Sequence, residues 1–145
     1  KTEFVSYYLD DFDGIVFDST LPTVLGAEIK IKKILKSKKI PKVYAVFPDD
    51  LARAFEAFFK RDRKFGEVHF YRTHSGSRKT LLWLAENYPE IEITIFESSY
   101  SEKGVMKFNK LKLQDNGEII EFLRRSQYTE EELFYFIKNP KNHDS

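Results

Sequence analysis

Short runs rich in β-branched and aromatic residues recur along this chain with helix-forming stretches between them, and that alternation restricts the fold more than any other feature. The runs are FVSYYL (4–9), KVYAVF (42–47), EVHFYR (67–72) and EIEITIFE (90–97), the last with Ile91, Ile93 and Ile95 alternating. Between the first two lies TVLGAEIKIKKILKSKK, in which Val24, Ala27, Ile31, Ile34 and Leu35 fall on one helical stripe behind Pro22. After the second, Asp49 is placed to cap a helix with Leu51, Ala54, Phe55, Phe58 and Phe59 on one face. After the third, THSGS (73–77) reads as a loop and RKTLLWLAENY as a helix. Parallel strands need crossovers, and crossovers are usually helical. The expectation is therefore an α/β fold: a single Rossmann-like domain over 1–145, with a mostly parallel sheet of four or five strands and helices on both faces.

The last third changes character. KLKLQDNGEIIEFL carries two short alternating runs around Asp115, Asn116 and Gly117, which predicts a hairpin. TEEELFYFIK opens with Thr129 and Glu132 in capping-box spacing, which predicts a closing helix.

Composition narrows the function classes. With no cysteine the chain has no disulfide, no thiolate metal site and no cysteine nucleophile, and its three histidines leave little for zinc. A net charge of +1 gives no global field toward nucleic acid, so any such contact must be local; Lys30, Lys32, Lys33, Lys36, Lys38 and Lys39 form the most basic stretch. No apolar run approaches the roughly 18–20 residues that cross a bilayer, and KTEFVSYYLDD lacks the core of a signal peptide. No membrane association is expected, and a cytoplasmic location is the default. Many Lys and Glu beside one Met resemble the usage of thermophiles.

The chemistry-bearing stretch is DDFDGIVFDS (10–19). If Asp11 and Asp13 end the first strand they share a side, and Gly14 lets the backbone turn beneath them. Two such carboxylates repel unless a cation relieves them, which makes Mg²⁺ their natural occupant. Taken by itself, the same pattern is also an ordinary acid-glycine turn. Ser75, Gly76 and Ser77, read as a loop before a helix, offer free N–H groups to a phosphate.

DFDGIVFDS resembles the first motif of the haloacid dehalogenase-like (HAD) phosphohydrolases. That resemblance implies a Mg²⁺-dependent phosphoester hydrolase, or a degenerate relative of one. Asp11 would be the nucleophile, Asp13 the general acid and base, and Asp11, Asp13 and Glu97 the metal ligands. Lys79, in SGSRKTLLWLAENYP, matches the family's charge-neutralising lysine in position. Ile15 stands where the family has threonine, Phe47 and Pro48 where its second motif has Ser or Thr, and Ser98 where a second acid is usual. The short chain has little room for a cap, so the expected substrate is a large phosphorylated molecule or a nucleic-acid end.

DDFDGI is also similar to the metal motif of the DHH phosphoesterases, the RecJ-like nucleases. In that alignment Thr73 or His74 and Glu97-Ser98-Ser99 replace metal ligands. This second resemblance implies a non-catalytic scaffold that binds a protein partner in DNA replication or repair. A third reading is a nucleotide-sensing domain that uses THSGS without chemistry.

Overall fold

The computed structural model describes residues 14–61, 66–101 and 103–139. Among them are five helices and three strands: α1 (Val24–Lys36), β1 (Lys42–Pro48), α2 (Leu51–Lys60), α3 (Glu67–Asn87), β2 (Glu92–Tyr100), β3 (Met106–Lys110), α4 (Asn116–Arg125) and α5 (Glu130–Lys138). The α/β class is as expected. The sheet has the order β1-β2-β3, with β1 and β2 parallel and β3 antiparallel to β2. The strand expected over 4–9 lies outside the described residues. No helix among the described residues is long and apolar enough to cross a membrane.

Local chemistry explains most of the boundaries. Thr23 caps α1 by accepting from the Gly26 N–H, and Lys33 and Lys36 sit in its last turn, where the helix dipole favours cations. Asp50, one residue beyond the expected Asp49, caps α2 by accepting from the Arg53 N–H at 3.0 Å. Thr129 and Glu132 form the expected capping box at the start of α5.

Two expectations are corrected. EVHFYR is not a third strand but the first turns of α3, a 21-residue helix that runs through THSGS. Phe70, Tyr71, Arg78, Thr80, Leu81, Leu84 and Ala85 are its buried positions, so one helical stripe continues across the supposed loop. EVHFYR lacks the strict alternation of a half-buried strand, and its apolar residues complete that stripe. The second correction concerns 115–117, which is not a hairpin turn. Asp115 accepts from the Glu118 N–H at 2.9 Å and starts α4, burying Leu123. Acid, two residues, then Glu is cap spacing as much as turn spacing. The hairpin joins β2 to β3 instead, closed by Ser101 N–H to Val105 O and turned at Gly104, whose φ is 76°.

Helices were expected on both faces of the sheet. In the structure the odd-numbered residues Ala45, Phe47, Ile93 and Ile95 form one core with Ile31 of α1, Leu81, Leu84 and Ala85 of α3, and Leu123 of α4. A second cluster joins Phe70 and Tyr71 of α3 to Leu133 and Ile137 of α5, with Phe55 and Phe58 of α2 packed against it. At 1.5 Å per residue α3 is about 31 Å long, long enough to take part in both.

Candidate functional site

The residues singled out by the sequence do not assemble into one site among the described residues. Asp11 and Asp13 lie outside them. Lys79 is exposed on α3, and Glu97 is half-buried at an odd position of β2, paired in register with Phe47 and Asn109. No group of three or more His, Asp or Glu side chains placed to hold a metal occurs among the described residues, so no step through Mg²⁺ is derived. The phosphate seat expected at Ser75, Gly76 and Ser77 loses the geometry it invoked, because these residues sit inside α3, where backbone N–H groups bond to the preceding turn. Ser75 Oγ donates to Tyr128 O at 2.7 Å, fastening α3 to the segment before α5. Ser77 Oγ donates to His74 O at 3.4 Å. Gly76 has its own reason: a Cβ there would lie 2.1 Å from Pro22 O, so only glycine lets the segment before α1 cross the helix.

Arg78, beside Lys79, was not singled out by the sequence and is the most unusual charge in the fold. It is 3% exposed. Nη1 donates to His74 O at 2.9 Å and lies 3.3 Å from His74 Nδ1, while Nε has no partner among the described residues. No carboxylate of the described residues pairs with it. Its guanidinium stacks instead 4.9 Å from the Phe47 ring and 5.6 Å from the Tyr128 ring. Aromatic faces carry the negative side of a quadrupole and partly stand in for a counter-ion. Burial pulls Arg78 down to about 10. His74, packed 4.1 Å from the Phe70 ring, is held at about 4 by burial and then by the nearby Arg78 charge. The cluster pins the end of β1 to α3 and to the segment before α5.

The other face of the sheet presents a different surface. Paired residues share a face, so register places the even-numbered residues of all three strands together, opposite the helices. Tyr44 (66% exposed), Val46 (50%) and Phe108 (57%) lie on it. Tyr44 is level with Thr94, Phe96 with Val46 and Lys110, and Phe108 with Ser98. Tyr44, Phe96 and Phe108 therefore descend diagonally, each step one strand across and two residues along, about 8 Å between neighbours from standard strand spacings. The Tyr44 and Phe96 ring centroids are 6.5 Å apart. Arg53 of α2 closes the end of this face, 4.8 Å over the Tyr100 ring and donating to Tyr100 O at 3.2 Å.

Charge is distributed to match. Residues 103–113 carry Lys103, Lys107, Lys110 and Lys112 and no Asp or Glu. Every residue of β3 is exposed. On the sheet's opposite border Lys42 is paired with Glu92 at 3.6 Å. Sequence reading missed this surface because KVYAVF is apolar at consecutive positions, the signature of a strand covered on both faces. The one available signal was the lysine run without acids around Phe108. No family model, curated protein or solved structure matches this chain.

Proposed function

We propose that the protein binds single-stranded nucleic acid across the open sheet face, with bases stacked on Tyr44, Phe96 and Phe108 and phosphates meeting Lys110 and the other lysines along the β3 edge. One observation carries this reading: an aromatic diagonal that no described helix covers, bordered by an acid-free basic strand. Bases stack on exposed aromatics whatever their sequence, while lysines supply backbone affinity. The 6.5 Å between the Tyr44 and Phe96 rings exceeds the roughly 3.4 Å rise of stacked duplex bases. Only a strand whose bases can splay apart uses all three rings.

The test is fluorescence anisotropy with a labelled thymidine oligonucleotide of about 12 residues. Loss of one stacked base costs about 1–3 kcal/mol, so Tyr44→Ala and Phe108→Ala should each weaken binding about 5- to 150-fold. Both side chains are exposed, so both variants fold. Contact with four phosphates gives a slope of log affinity against log salt of about −3. Equal affinity for a duplex of the same length, or variants that bind like the wild type, refutes the proposal.

A second reading keeps the phosphoester hydrolysis implied by DFDGIVFDS. It is favoured by the outer edge of β1, which has no partner strand among the described residues. In a Rossmann-like sheet ligands sit at the carboxyl rim of the strands, here the one where Pro48 and Ser98 end the parallel pair. Its test is Mg²⁺-dependent thermal stabilisation and slow hydrolysis of p-nitrophenyl phosphate, both abolished by Asp11→Asn. If neither is found, or both survive the substitution, the hydrolase reading fails and the binding reading stands on its own.

A further inference from the structure

A cavity of about 300 Å³ opens beside the first half of β2, with Thr94 and Lys110 in its lining. Its origin is a missing rung in the β2–β3 ladder. Pairing runs from Tyr100–Met106 to Phe96–Lys110, and one further bond follows, from Leu111 N–H to Ile95 O at 2.9 Å. The next rung would join Leu113 to Ile93, but the Leu113 N–H turns back to Leu111 O at 3.1 Å and the chain leaves for α4. In an extended strand the N–H and C=O of one residue point to the same side, and residues two apart match. Ile93, itself only 5% exposed, therefore presents both groups on the side where Ile95 meets Leu111, with no strand opposite among the described residues. A half-covered strand edge of this kind is a template for another extended chain.

The walls say what kind of chain. Ile93, Leu111 and Ile119 supply apolar surface, and Glu90, Glu92 and Asp115 outnumber Lys110 at the rim. Asp115 is occupied in capping α4 and Glu92 faces Lys42, whereas Glu90 makes no ion pair among the described residues. We infer that this groove takes a short extended peptide by strand addition, its main chain pairing with Ile93 and a lysine or arginine side chain meeting Glu90. The volume sits at the lower end of ligand-sized sites, which suits a few residues and not a folded partner. The inference does not rest on the nucleic-acid reading, although Lys110 borders both surfaces.

The experiment is calorimetric titration of the full chain with a short peptide alternating lysine and valine. Controls are its glutamate counterpart, an N-methylated version that lacks main-chain donors, and n-butylamine. Glu90→Lys and Gln114→Trp change exposed side chains at the cavity, the first reversing its charge and the second filling it. The inference expects the basic peptide alone to bind, about tenfold more weakly to Glu90→Lys and not at all to Gln114→Trp, with oligonucleotide affinity unchanged in both. It is overturned by absence of binding, by equal binding of the acidic or N-methylated peptide, by competition from butylamine at equal concentration, or by variants that bind like the wild type.

Discussion

Replacing Gly76 by alanine gives a perturbation whose sign the structure decides. In an open helix interior, Gly→Ala stabilises by about 1 kcal/mol, because glycine loses more backbone freedom on folding. At position 76 the new methyl would lie 2.1 Å from Pro22 O and 3.1 Å from Pro22 C. Backbone atoms cannot rotate aside as a side-chain tip can, so α3 and the segment before α1 must separate by roughly 1 Å. Overpacking of a tight contact costs about 1–3 kcal/mol, and the rigidity of the neighbour argues for the upper part of that range. Set against the propensity gain, the net loss is about 1–2 kcal/mol, or about 3–8 °C in Tm for a chain of this size. Thermal and denaturant unfolding followed by circular dichroism measure it, with Lys79→Ala as the exposed control on the same helix, expected within about 0.5 kcal/mol of the wild type. A Gly76→Ala protein as stable as the wild type, or more so, would show that the 14–23 segment does not lie against α3, and would reopen the loop reading of 73–77.

Other consequences can be checked alongside. Above about pH 6.5, His74 is neutral in folded and unfolded chains alike; as pH falls toward 4 the unfolded chain takes up the proton first, so stability is lost with acidification. His74→Gln should make the loss between about pH 7 and 5 shallower by about 2 kcal/mol, read from denaturant midpoints, and an unchanged slope would deny the burial of this ring. Thr129→Ala removes one half of the α5 capping box and should cost about 1 kcal/mol in equilibrium unfolding. Lys110→Ala should reduce the salt slope of oligonucleotide binding from about −3 to about −2, whereas the same change at Lys32 or Lys36 of α1 should leave it nearly unaltered.

Legibility in the sequence followed the strength of local signals. KVYAVF, EITIFE, the Phe-rich α2 and the capped α5 announced themselves through alternation, a 3.6-residue stripe or a cap, and each lies within a few residues of its expected place. EVHFYR failed because six residues with three aromatic or β-branched side chains satisfy either period, and Gly76 behind them looked like a break. Its glycine answers a tertiary demand, the crossing of Pro22, that no local pattern encodes. DNG failed for a similar reason, since Asp115 caps a helix with the chemistry that would also make a turn. Arg78 and Lys79 are adjacent in sequence, yet helical geometry buries the first and exposes the second. The aromatic diagonal was illegible because it is a property of register between three strands, and register is set by pairing. Asp11 and Asp13, on which the catalytic reading turned, lie outside the described residues.

Nucleic acid is proposed to lie on the sheet face that the described helices leave open. An NMR titration of isotope-labelled protein with a thymidine oligonucleotide tests it residue by residue. The account predicts the largest side-chain shifts at Tyr44, Val46, Phe96 and Phe108, with their odd-numbered neighbours Ala45 and Ile95 nearly still. Shifts concentrated instead on the lysines of α1, or spread evenly over both faces, would contradict it.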